Sequence, residues 1–287
     1  MALPFLEVIA KEALFEIFSQ AQLINTVTRD FESAVASQGE SVTVIMPETP
    51  TVRDAGKLIT DDAANPSTVT LTVDKWRETK PISVDMKTLA LADRNVLQLY
   101  ARPIGEALRA DIETALLTEL VKFVDLIGDA AGTKVPSGIA EVAVAPKAKF
   151  DALLAPPERF VVAGPTLEGA YFETFGLQAQ AGDVAVQEAV RGLMGQKMGM
   201  TYVANNAVES GARIGVCYHR NAVALATRPM KVSDLAPNTM TTVSYNGLGL
   251  TVEAWHDPAT SKDFIRGQVL FGIKALTSKG FLFNKKA

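Results

Sequence analysis

Cysteine is almost missing from this chain: Cys217 stands alone among 287 residues. No intrachain disulfide can form, which fits a reducing compartment. Histidine is nearly as scarce, with only His219 and His256. One thiol and two imidazoles cannot complete a usual four-ligand structural zinc site. Any Ser/His or Cys/His nucleophile would have to use one of those two rings, and there is neither a Gly-x-Ser-x-Gly elbow nor a Gly-x-Gly-x-x-Gly fingerprint. No stretch approaches the roughly 20 consecutive apolar residues of a membrane span. The opening Met1-Ala2-Leu3-Pro4 lacks the basic region and apolar run of a secretory signal. The net charge of −4 supplies no cationic field, and no basic stripe is interleaved with aromatics. At most Arg77 and Lys80 beside Trp76, and Lys285-Lys286 near the end, could touch phosphate weakly. With 48% apolar and 21% charged residues the chain reads as soluble and globular, long enough for one large domain or two smaller ones.

What is present centres on residues 67–128. From Ser67 to Trp76, Val69, Leu71 and Val73 alternate with threonine, the period-two mark of a half-buried strand. A second extended piece, Ile82–Asp85, follows Pro81, and Met86–Arg102 reads as a connector. Pro103 then suits a first helical position, because its missing N–H would be unpaired there anyway. Ile104, Leu108, Ile112, Leu116, Leu120, Phe123 and Ile127 recur at three- and four-residue steps up to Gly128, a left-handed stop. Such a helix is roughly 37 Å long and reads as a spine.

Before the spine, Leu6, Ile9, Ala13, Leu14, Ile17 and Phe18 form a helical apolar stripe. Two readings stand: a helix docked on its own domain, or an arm along a neighbouring subunit. Ser41–Pro47 reads as a strand able to pair with Thr68–Trp76 in a long ribbon. Between them Glu48–Pro66 has no strong periodicity, and such an excursion inside a compact domain signals function or disorder. A lone two-stranded ribbon is marginal in water, so something outside it, most simply another copy of the chain, should support it. Asp61-Asp62 has no histidine or third carboxylate at ligand spacing and reads as a solvated loop.

After the spine, Asp129–Ser137 is the best domain boundary. Ala148–Leu154 and Thr166–Phe175 read as helices, as does Val184–Arg191. Arg159–Gly164, Met200–Ala204 and Ala212–His219 read as short buried strands of an α/β layer. Gly192–Gly199 is the nearest thing to a phosphate loop, yet Gln196 and Met198 stand where Gly-Lys-Ser/Thr chemistry needs other residues, so turns are expected. Cys217 and His219 share a strand face without an orienting carboxylate. From Met230 on, Val243–Tyr245, Leu250–Trp255 and Arg266–Ile273 are strand-like, with Asn246-Gly247 as a hairpin turn. The stretch Gly267–Ile273 is expected to pack against the spine.

The order of parts resembles the major capsid (coat) proteins of tailed bacteriophages, whose fold is shared with encapsulin shells and herpesvirus capsid floors. The resemblance covers nearly the whole chain. It is carried by Thr68–Trp76 leading to Ile82–Leu91, the helix with Ile104, Ala107, Leu108, Asp111 and Ile112, and Arg159-Phe160-Val161-Val162. It rests also on Gly192–Gly199 before Tyr202–Asn206, and most specifically on His219-Arg220-Asn221 running to Arg228-Pro229. It implies an α+β fold with an N-terminal arm (1–40), an extended β-ribbon loop (41–85), a peripheral domain with the spine helix (86–135), an axial α/β domain (136–228) and closing peripheral strands (229–287). It implies a structural protein rather than an enzyme, without cofactor or metal, that assembles with itself as hexamers and pentamers into an icosahedral head around double-stranded DNA held by weak contacts. A separate scaffolding protein, a portal, assembly in the host cytoplasm and a place in the virion follow from the same resemblance, with no membrane partner. The expected subunit contacts are Arg53, Lys57, Asp61, Asp62, Trp76, Arg77 and Lys80. Some relatives crosslink a loop lysine to an asparagine, for which Lys57 and Asn238 or Asn246 are available. The alternatives are an encapsulin-like compartment and, more remotely, an α/β enzyme acting near Gly192–Gly199 or His219.

Overall fold

In the computed structural model of the chain, the residues described are 4–29, 41–46, 67–85, 96–176, 194–231 and 239–287. Helix α1 (Pro4–Gln20) buries Leu6, Ile9, Ala10, Ala13, Leu14 and Ile17 on its own chain. Of the two readings of the first helix, the docked one is therefore what is observed, and residues 4–29 belong to the body rather than to a free arm.

The spine, α2 (Val96–Leu120), has the expected length but lies further toward the N-terminus. It starts inside the expected connector, with Pro103 in its interior. Tyr100 and Ala101, 2% and 0% exposed, belong to the same core as Ile104 and Leu108, and this pulls the preceding turns into the helix. The Pro103 ring is accommodated on the exposed side, at the loss of one backbone bond. At the far end Leu126-Ile127 is not helix but a short strand, β5. Gly128 is left-handed (φ 85°) as anticipated, yet it ends that strand rather than capping the spine.

Among the described residues the strands form three sheets. Strands β1 (Ser41–Met46) and β2 (Ser67–Thr72) pair antiparallel, Ser41 opposite Thr72 and Met46 opposite Ser67. This is the ribbon that the alternation predicts. The second sheet contains β3 (Lys75–Glu78), β4 (Ile82–Asp85), β10 (Val223–Thr227), β11 (Met240–Tyr245), β12 (Leu248–Asp257) and β13 (Lys262–Ala275). Its long strand β13 pairs with β10, β12, β3 and β4. The spine crosses this sheet where Gly267 faces Ile104 and Leu108, the helix-on-sheet packing expected of that stretch.

The third sheet runs β5-β14-β9-β6-β8-β7. Its members after β5 are β6 (Arg159–Ala163), β7 (Gln196–Lys197), β8 (Met200–Ala204), β9 (Arg213–His219) and β14 (Gly280–Asn284). Alternation divides it between two cores. Val162, Val216 and Tyr218 join the core of α1, α2 and the second sheet. Val161, Cys217, Phe281 and Phe283 face a separate core with Phe150 and Leu167, under α3 (Ala145–Ala152) and α4 (Pro165–Gly176). Strand β14 lies outside the expected strands, and it joins the third sheet beside β9 rather than the sheet of β11, β12 and β13. The buried Phe281 and Phe283 fix it there.

Candidate assembly surfaces

The ribbon base is carried by its own chain. Val42, Leu71 and Val73 close on Ala224 and Ala226 of β10, and on Leu270 of β13. At Gly272 the ribbon passes so near that a side chain there would strike the carbonyl oxygen of Thr72. The expectation that the ribbon lacks support within the chain is corrected at this point: its base has a core of its own. Past the base, Ile45 is 63% exposed. Arg53, Lys57, Asp61 and Asp62 lie outside the described residues, as do Asn238, Gly192 and the helix expected over Val184–Arg191.

The register of β3 on β13 separates the other expected contact residues. Trp76 stands opposite Leu270 and Arg77 opposite Val269, so the two point to different faces. Trp76 is 63% exposed on the face away from the spine. Arg77 turns toward α2, its Nε 3.4 Å from Asp111 Oδ2. Arg77, Lys80, Ile104, Leu108 and Asp111 line a groove of about 470 Å³ between β3 and the spine. Both side chains are about half exposed, so the pair contributes little to stability, although Asp111 Oδ2 itself is buried. Lys285 and Lys286, considered for phosphate, are instead near Glu209 (4.0 Å) and Glu141 (2.5 Å).

The face that carries Trp76 also holds a cluster that reading the sequence did not find. Arg266 Nε donates to Glu253 Oε2 at 2.7 Å and Arg266 Nη1 to Glu78 Oε2 at 2.8 Å. Its guanidinium lies 5.4 Å from the ring of Trp255, which stacks on Phe264 with 5.5 Å between centroids. Gln268 Nε2 donates to the same Glu253 carboxylate at 3.1 Å. The available signal was parity: Glu253 and Trp255 are two apart, as are Phe264, Arg266 and Gln268, so each set shares a face. Only the pairing of β12 with β13 brings the two sets together.

The remaining candidates for chemistry are His219, Cys217 and the glycine cluster. His219 Nδ1 accepts from the Asn221 N–H at 3.1 Å, and its Nε2 donates to the Pro157 carbonyl at 2.8 Å. Both ring nitrogens are thus engaged by backbone, and burial pulls its pKa down. Complete burial pushes the Cys217 thiol well up, away from thiolate chemistry. The described part of the glycine cluster is the β7–β8 hairpin, turning through Met198 (φ 52°) and Gly199 (φ 76°). Among the described residues no three His, Cys, Asp or Glu side chains converge on a metal-sized site. No helix among them is long and apolar enough to cross a membrane.

No protein-family model and no curated protein matches the chain. Solved structures do. A chain of Mycobacterium phage Che8 superposes with a TM-score of 0.67 at 21% identity, over 92% of this chain and 91% of that one. The capsid structure of the cyanophage P-SCSP1u gives 0.62 at 12% identity, covering 93% and 89%. The virus-like particle from Pyrococcus furiosus gives 0.59 at 10% identity, covering 98% and 100%. Over nine-tenths of its length, the chain has the tailed-phage major-capsid fold, and its described residues supply a ribbon, a spine helix and two six-stranded sheets.

Proposed function

We propose that this chain is the shell subunit of a tailed-phage head, assembling as hexamers and pentamers into an icosahedral container for double-stranded DNA. The observation that carries the reading is the match of the whole chain, not of one domain, to capsid structures. In this reading residues 136–228 are the axial part whose tips meet at the centre of each ring, and 86–135 with 229–287 form the periphery. The ribbon lies over a neighbouring subunit, with Arg53, Lys57, Asp61 and Asp62 among its contacts. Its role is structural, not enzymatic; packaged DNA is touched weakly, and a separate scaffolding protein and a portal are the partners during assembly in the host cytoplasm. A mildly acidic chain with paired lysines agrees with weak DNA contact.

The second reading, a protein-filled compartment, draws on the full-length match to the Pyrococcus furiosus particle. Negative-stain microscopy of the protein, alone and with its neighbouring genes, tests the shell. Closed particles or hexamer-sized rings are expected, and a monomer under every condition overturns it. Nuclease-resistant DNA within purified particles separates the head from the compartment.

A further inference from the structure

Strand β11 closes one side of the peripheral sheet, and among the described residues no strand pairs with its outer edge. It turns into β12 through Asn246 and Gly247, both at positive φ, with Tyr245 opposite Leu248. In a two-residue hairpin the flanking residues exchange both hydrogen bonds, so Thr241, Val243 and Tyr245 direct their backbone groups at β12. Met240, Thr242 and Ser244 therefore turn theirs outward, as an unpaired edge. Beside this edge runs α1, leaving a groove of about 320 Å³ lined by Leu14, Phe15, Val243 and Tyr245. Phe15 and Tyr245 are 66% and 64% exposed, and Val8 on the same side of α1 is 45% exposed. The helix thus carries an apolar stripe beyond the one that it buries. A bare strand edge beside a helix-walled apolar groove accepts an extended segment as an added strand: main-chain bonds hold it and the groove takes alternate side chains.

The chain itself supplies such a segment. Strand β1 has no strand on its outer edge among the described residues, and like β11 it is six residues long. Val42 and Val44 turn into their own core, which leaves Ser41, Thr43 and the exposed Ile45 on the other face. Because β1 and β11 are different surfaces of one chain, their contact is heterologous and repeats from copy to copy, as a closed ring requires. We infer that the β11–α1 edge of one copy receives strand β1 of the next, with Ile45 in the groove beside Phe15 and Tyr245. The inference rests on the shell reading and specifies which strands join.

Ser244→Pro tests it, because that residue's N–H points away from β12 and proline is tolerated on a strand edge. The variant is expected to melt like the wild type while each subunit contact weakens about tenfold, enough to abolish closed particles. Paired cysteines give a second test, since Cys217 is wholly buried and an I45C/S244C chain has two accessible thiols. Assembled I45C/S244C, treated with a short bismaleimide, is expected to run as a ladder of multimers on a denaturing gel, while I45C and S244C alone run as monomers. Wild-type yield of particles from S244P, or a monomer band from closed I45C/S244C particles, overturns the inference. Crosslinking only to a different, co-expressed protein overturns the choice of occupant. Failure of the wild type to assemble at all overturns the shell reading itself, which keeps the two failures distinct.

Discussion

Glu113 is the one acidic side chain of the spine drawn into the core, 7% exposed, and its removal should unfasten the segment after α1. Its Oε1 accepts the backbone N–H of Gln22 at 2.7 Å and of Leu23 at 3.0 Å. Its Oε2 lies 3.6 Å from Arg109 Nη1, which itself donates to the Gln20 carbonyl at 3.0 Å. A hydrogen bond to a charged group contributes about 1.5–3 kcal/mol, and a buried donor left unmatched loses a comparable amount. The Leu23 amide is buried, whereas Gln22 is exposed enough for water to take over. Glu113→Ala should therefore cost about 2–4 kcal/mol, and in a chain of this size lower Tm by roughly 5–12 °C. Glu113→Gln keeps an acceptor oxygen for both amides and should cost only about 1 kcal/mol. Thermal or urea unfolding of the unassembled subunit measures both. The reasoning is refuted if Glu113→Ala melts with the wild type, or if Glu113→Gln is as damaging, which would make the Arg109 pairing the real contribution.

Other consequences follow from the same packing. His219 is held neutral, with a pKa below its ordinary value because burial disfavours the imidazolium. The unfolded chain binds a proton near pH 6.5, so the contribution of His219 is complete above that pH and is lost as pH falls below it. Tm measured from pH 8 to pH 5 should fall more steeply for the wild type than for His219→Gln; parallel curves would dismiss the effect. Gly272→Ala drives a methyl group into the Thr72 carbonyl and should cost about 1–3 kcal/mol while loosening the ribbon, read as faster proteolysis at the β1–β2 strands. Deleting residues 50–66 should leave a soluble, folded subunit that does not assemble; closed particles from the deletion would show that the ribbon tip is dispensable.

Much of this architecture was legible in the chain because its signals are local. The Val69-Leu71-Val73 alternation places one face of a strand, the Asn246-Gly247 pair suits a two-residue turn, and the α1 stripe places one face of a helix, whatever lies far away. The ends of the spine were not legible. Proline at 103 is compatible with a helix start and with an exposed interior position, and burial of Tyr100 and Ala101 against distant strands decides between them. Phe123 and Ile127 continue the helical spacing, yet Gly280 and β14 take them into other contacts.

The sequence by itself determined the alternation of the ribbon strands, the existence of a long spine helix and the central strands of the α/β layer, since short-range periodicity suffices for each. Tertiary structure alone decided what joins what. It seated the ribbon base on β10 and β13, carried β14 into the third sheet, split Trp76 from Arg77, and set Phe15 beside β11. Those placements depend on pairing between residues as far apart as Glu78 and Arg266. A strand's own pattern specifies which residues share a face, but never which strand will lie beside it.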